Sequence, residues 1–107
     1  MKEIKAVIQP RKLSRVREAM RRVPGFPGMT VFEAEGCSAL DPGAGLGPGI
    51  RAELTDYSRK VRIEVVCEDP LVEPIVAAIT SAAHTGQKGD GILWVTEVTS
   101  VRRLREG

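Results

Sequence analysis

Two runs of strand, helix and strand stand on either side of a segment crowded with glycine and proline, and this order restricts the fold more than any single residue does. Ile4, Ala6 and Ile8 alternate with Lys5, Val7 and Gln9 as in a half-buried strand, which Pro10 ends because it offers no ladder donor. Leu13, Val16, Ala19 or Met20, and Val23 then recur at helical spacing, with Arg15, Arg17, Glu18, Arg21 and Arg22 facing outward, so residues 12–22 read as an amphipathic helix. Pro24-Gly25-Phe26-Pro27-Gly28 breaks it. Residues 29–35 read as a second strand that Gly36 closes.

The second run is the clearer of the two. Val61, Ile63 and Val65 alternate with Lys60, Arg62 and Glu64 over residues 60–67, the strongest strand signal in the chain. Asp69 is a good N-cap and Pro70 is tolerated in a first turn, so a second helix opens there. Leu71, Val72, Ile75, Ile79 and Ala82 or Ala83 form its buried stripe, with Pro74 still near the first turn. A glycine-rich loop leads into a final strand from Ile92 to about Val98.

Strand, helix, strand, strand, helix, strand is the order of two split β-α-β units. It predicts an α+β, ferredoxin-like βαββαβ plait over residues 1–107, a single domain whose antiparallel sheet carries both helices on one face. Aromatic residues are only 4% of the chain, so the core must be aliphatic. With Val and Ile on both faces of the strands, the uncovered face is expected to expose an apolar patch unless another copy of the chain covers it.

Composition narrows the function classes. A net charge of +2 is too small for a nucleic-acid or acidic-membrane binder, and no segment approaches the roughly 20 apolar residues that span a bilayer. Cys37 and Cys67 have neither metal-ligand nor redox spacing and the N-terminus has no leader pattern, so the expected location is the cytoplasm, with reduced thiols. Cys67 belongs to a buried, inert strand position, and the lone His84 makes a poor metal site. No nucleophile lies beside a general base, so no enzyme activity is expected.

Three segments remain unexplained by packing. Thr85-Gly86-Gln87-Lys88-Gly89-Asp90-Gly91 places three glycines and an acid between a helix and a strand, a loop whose backbone N–H groups can cradle an anion such as phosphate. Residues 37–56 lack periodicity and predict a long mobile loop of the kind that carries function. The basic tail, residues 102–107, holds Arg102, Arg103 and Arg105, whose guanidinium forks match phosphate oxygens.

In order along the chain, Met1-Lys2-Glu3-Ile4-Lys5-Ala6-Val7-Ile8-Gln9-Pro10-Arg11-Lys12-Leu13 with Val16-Arg17-Glu18-Ala19, Gly28-Met29-Thr30-Val31, Lys60-Val61-Arg62-Ile63-Glu64-Val65-Val66 and the 85–91 loop resemble the PII signal-transduction proteins. The resemblance covers nearly the whole chain outside the central segment. It implies a homotrimer that binds adenine nucleotides (ADP, AMP or ATP) in clefts between subunits and acts on a partner protein through a protruding T-loop, here residues 37–56. It implies that the 85–91 loop, opened by Thr85, is the family's B-loop, with the amides of Gly86, Gly89, Asp90 and Gly91 toward the phosphates. Thr30, Gly36, Glu64 and Val66 would lie near the nucleoside, and Arg103 and Arg105 would reach the phosphates from the adjacent subunit.

The chain also departs from the family pattern. No tyrosine lies between Gly36 and Asp56, so uridylylation at the loop is not expected, and Ala39 and Leu40 stand where the family has an arginine and a magnesium- and 2-oxoglutarate-binding glutamine. Ile92 replaces a phosphate-contacting lysine. One cation fewer penalises a triphosphate most, so ADP or AMP is expected to compete well with ATP. Residues 24–28 and 50–57 look most like the PII-like group associated with metal efflux, which implies a membrane transporter as partner. The rival expectation is a trimeric metal-tolerance or stress protein with no nucleotide site.

Overall fold

The computed structural model describes residues 1–37 and 57–107. They form β1 (Lys2–Ile8), α1 (Leu13–Arg21), β2 (Thr30–Cys37), β3 (Tyr57–Cys67), α2 (Val72–Ala83) and β4 (Gly91–Glu97), with short 3-10 turns at Pro10–Lys12, Asp69–Leu71 and Leu104–Glu106. The strands lie in the order β2-β3-β1-β4 with every neighbouring pair antiparallel, the ferredoxin-like plait that the element order predicts. Because Ile8 stands opposite both Val61 and Gly91, one end of the sheet gathers the close of β1, the start of β4 and the first half of β3.

Both helices cover one face. α1 buries Val16 and Met20 and α2 buries Ile75, Ile79 and Ala83, in each case on residues four apart, against Ile4, Ala6, Ile8, Val61, Ile63 and Val65 of the two central strands. Of the sequence alternatives, Met20 rather than Ala19 and Ala83 rather than Ala82 enter the core. Each fully buried aliphatic side chain contributes about 1.5–3 kcal/mol, so a core with almost no aromatic residues still holds two helices on four strands.

Four expectations are corrected. Asp69 caps no helix: it lies inside the 3-10 turn that precedes α2, where its carboxylate meets the N-terminal ammonium at 3.1 Å and Lys2 Nζ at 3.4 Å. Two cations outcompete the amide it would otherwise accept from, and they hold its carboxyl below the ordinary carboxylate range. Gly36 does not close β2 but lies within it, paired with Ser58, and Cys37 is the last strand residue rather than the first of a loop. β3 starts earlier than the alternation suggests, at Tyr57, because β2 continues to offer it a partner. The remainder of the 37–56 segment lies outside the described residues.

The fourth correction concerns the uncovered face. The register puts Glu3, Lys5 and Val7 there from β1, Thr30, Phe32 and Ala34 from β2, Lys60, Arg62, Glu64 and Val66 from β3, and Ile92 and Trp94 from β4. Its middle is charged, with Lys5 against Glu3 at 3.3 Å and Arg62 against Glu64 at 2.7 Å, so no continuous apolar patch forms. The larger apolar members fall on either side of these pairs, with Phe32 on the β2 edge, Val66 near the end of β3, and Val7 beside Ile92 and Trp94 toward the β4 edge. The Arg62 Nε is buried and has no hydrogen-bond partner among the described residues.

Candidate functional site

The glycine loop is closed by its own acid. α2 stops at Ala83 because His84 turns to an extended conformation, and the chain then folds around the Asp90 carboxylate. Asp90 Oδ2 accepts from the Thr85 N–H at 2.7 Å and the Gly86 N–H at 2.9 Å, while Oδ1 accepts a short hydrogen bond from the Thr85 hydroxyl. Gln87 N–H donates to Thr85 Oγ1 at 3.2 Å. These donors, the Thr85 hydroxyl foremost and then the Thr85 and Gly86 amides, pull the Asp90 carboxyl from an ordinary 3.8 down to about 2. The His84 ring stands 3.7 Å away and adds to the pull when protonated.

Of the amides that the resemblance points toward phosphate, that of Gly86 is therefore occupied by Asp90. Gly89 and Gly91 have backbone reasons to be glycine, with φ of 93° and 109°. Gly91 also passes so close to β1 that an added Cβ would sit 1.7 Å from the Val7 carbonyl oxygen. The loop is thus seated directly on the sheet.

Side chains from two strands fasten the other half of the loop. The Gly89 carbonyl accepts from Gln9 Nε2 at 3.1 Å and from Lys60 Nζ at 3.0 Å, and Gln9 Oε1 in turn accepts from Arg11 Nε at 2.7 Å. Gly36 belongs to this same end: a Cβ there would lie 3.1 Å from Lys60 Cγ, so the missing side chain makes room for the lysine stem. Gln9, Arg11 and Lys60 were not singled out in the sequence. A signal was present in Gly36, a strand glycine diagonally across from an outward lysine.

The remaining candidates sit elsewhere. Thr30 pairs with Glu64 at the opposite end of the sheet, and both join Val66 and Arg103 around an open depression of about 440 Å³ that Glu3 and Arg102 also line. Thr30 and Gly36 share one strand but stand about 20 Å apart at the usual strand rise. Arg105 lies in the last 3-10 turn, exposed. The candidate residues therefore fall into two groups, Gly36 with the 85–91 loop and Thr30, Glu64 and Val66 with Arg103, which one copy of the chain does not bring together.

Cys67 is 2% exposed, and burial pushes its thiol pKa up, which leaves it unreactive. Cys37 is exposed at the end of β2. Among the described residues no three of His, Cys, Asp and Glu gather as a metal-holding cluster, and no helix is long and apolar enough to cross a membrane.

A ferredoxin-like plait with a glycine loop seated at one sheet end and an open depression at the other defines the class of small α+β protein to which this chain belongs. Comparison with known proteins makes this specific. The family model for "Nitrogen regulatory protein P-II" matches residues 1–107. The nitrogen regulatory protein P-II of Azospirillum brasilense is 47% identical over 107 residues, which is 100% of this chain and 94% of that protein. Over the same shares of each chain, the P-II protein of Bradyrhizobium diazoefficiens is 42% identical and the P-II 1 protein of Escherichia coli K12 is 41% identical. The chain belongs to the P-II family, a family of signalling regulators.

Proposed function

We propose that this P-II protein works as a homotrimer that binds adenine nucleotides in the clefts between its subunits and passes the bound state to a membrane transporter through residues 37–56. The observation that carries the reading is the separation of the two residue groups. Gly36 and the 85–91 loop are at one end of the sheet, while Thr30, Glu64, Val66 and Arg103 are at the other, so a ligand touching both must lie between two copies. In a closed ring each subunit presents its loop end to the depression of its neighbour, and three equivalent seams result.

Within each seam the loop supplies rigid backbone around Gly89 and Gly91, Arg103 and Arg105 supply forked cations for phosphate oxygens, and Thr30, Glu64 and Val66 supply the wall for the nucleoside. Ile92 offers no cation where the resemblance implies one, so ADP and AMP compete well with ATP. The protein's part is regulatory: nucleotides that contact the Gly36 end differently shift the 37–56 segment between states. A transporter partner rests on the likeness of residues 24–28 and 50–57 to the metal-efflux-associated group.

Complementation between two defective chains tests the composite site. Gly89→Val places a branched side chain at a φ of 93° and disables the loop end, and Arg103→Gln disables the depression end. Titration calorimetry on each homogeneous variant is expected to show little ADP binding. Randomly mixed and reassembled chains regain about a quarter of the seams, because one seam in four pairs the intact loop of one variant with the intact depression of the other. A site confined to one chain predicts no recovery.

A further inference from the structure

Positive charge is gathered in one part of this chain. Residues 11–22 hold six cations, Arg11, Lys12, Arg15, Arg17, Arg21 and Arg22, and one acid, Glu18, a net +5 in a chain of net +2, so the rest of the protein is net −3. Glu18 is engaged by Arg21 at 3.4 Å, whereas Arg15, Arg17 and Arg22 are exposed and have no carboxylate partner among the described residues. α2 packs beside α1 but does not neutralise them, because Glu73 in its first turn is its single charged residue. Between the two helices runs an open groove of about 560 Å³, with Ala19, Ala78 and Ala82 half-buried along its floor and the exposed Arg15 and Arg22 on one rim. Glu18 also borders the groove, held by Arg21. Arg15 and Arg22 are seven positions apart, close to two turns and about 10 Å along the helix, so they share one side of it.

We infer that this groove docks an acidic amphipathic helix of a partner protein, with two carboxylates seven positions apart on Arg15 and Arg22 and small or aliphatic residues between them on the alanine floor. The shape of the occupant follows from the floor. A groove lined by alanine between two helices admits a third helix at close interaxial distance, and neither helix offers the row of unpaired N–H and C=O groups that an extended peptide needs. Its charge follows from the rim, where two guanidinium forks without counter-ions match carboxylates in geometry and sign. A membrane surface fits less well. The large exposed apolar residues among those described lie at the N-terminus, on the strands and on the tail, and none lies on α1 or α2 to enter a bilayer. The groove shares no residue with either group of the nucleotide reading and lies on the helix-covered side of the sheet, so it stands or falls separately from that reading.

The test titrates the full chain with a labelled synthetic peptide helix carrying two glutamates seven positions apart with leucine and alanine between them, and with the same peptide carrying glutamine at both positions. Fluorescence anisotropy reads the affinity, and chemical-shift mapping on isotope-labelled protein locates the contact. The wild-type protein is expected to bind the glutamate peptide about tenfold more tightly than the glutamine peptide, with shifts centred on Ala19, Ala78 and Ala82. Arg15→Gln combined with Arg22→Gln is expected to lose about that factor. Arg17→Gln, which removes an equally exposed cation from α1 outside the groove, is expected to keep wild-type affinity, and a melt of each variant establishes that it folds. An equal loss in Arg17→Gln means unspecific attraction to a basic helix and overturns the groove. Shifts away from α1 and α2 overturn it too. So does a protein that ignores the glutamate peptide, in which case sedimentation with phosphatidylglycerol vesicles assigns the basic surface to a membrane instead.

Discussion

Both ends of the sheet carry polar groups but use them differently. At the loop end nearly every group is committed within the chain: the Asp90 carboxylate gathers Thr85 and Gly86, and the Gly89 carbonyl gathers Gln9 and Lys60. At the other end Thr30, Glu64, Val66 and Arg103 surround an open depression, and the contact they share is the strand pairing of Thr30 with Glu64. One end is shaped by contacts within the chain. The other is left open, an asymmetry that the proposed ring of subunits would use.

The comparison breaks most readily at Gly91. Valine there drives a Cβ into the Val7 carbonyl and forces a φ of 109° on a branched residue, so the β1–β4 pairing is lost. A stability loss of about 3 kcal/mol or more is expected in urea unfolding, and a near-normal midpoint would mean that the loop is not seated on the sheet as described.

A smaller effect is expected at Asp90. Asparagine keeps the shape but removes the charge that Thr85 and Gly86 donate to, so the melting temperature falls at neutral pH. The sign of its pH dependence follows from the depressed carboxyl. The contribution is fully present above the ordinary value of 3.8 and is lost as the pH falls through about 2. The gap in melting temperature between wild type and Asp90→Asn is therefore expected to stay constant down to 3.8 and to close toward 2. A gap that closes well above 3.8 would mean that the Asp90 charge is not what holds the loop closed.

Least affected in stability is the depression end. Arg103→Gln is expected to change unfolding by no more than about 0.5 kcal/mol, because the side chain lies exposed outside the core. A large loss would show that this end, too, is wired within the chain, and the contrast between the two ends would fall.

Much of this was legible in local pattern. The alternation of Ile4, Ala6 and Ile8 and of Val61, Ile63 and Val65 identified core faces that the structure retains, and the stripe from Ile75 to Ile79 did the same for α2. Local pattern misled where a distant partner won. Asp69 has the chemistry of a cap, but the N-terminus and Lys2 reach it first. Gly36 has the chemistry of a breaker, yet β3 continues beside it and its bareness serves the Lys60 stem. The uncovered face reads as apolar when residue types are counted and as charged once the register puts Lys5 with Glu3 and Arg62 with Glu64 at its centre.

From residue order alone came the number and kind of elements, their buried sides and the glycine loop, because periodicity and backbone preference act over a few neighbouring positions. The tertiary structure decided which candidates share a site. Gln9 and Gly89 are 80 positions apart and Lys60 and Gly89 are 29 apart, yet all meet at one carbonyl, while Thr30 and Gly36 on a single strand end far from each other. Such placements depend on strand order and register, and these are fixed by long-range packing of the whole sheet rather than by any local run of residues.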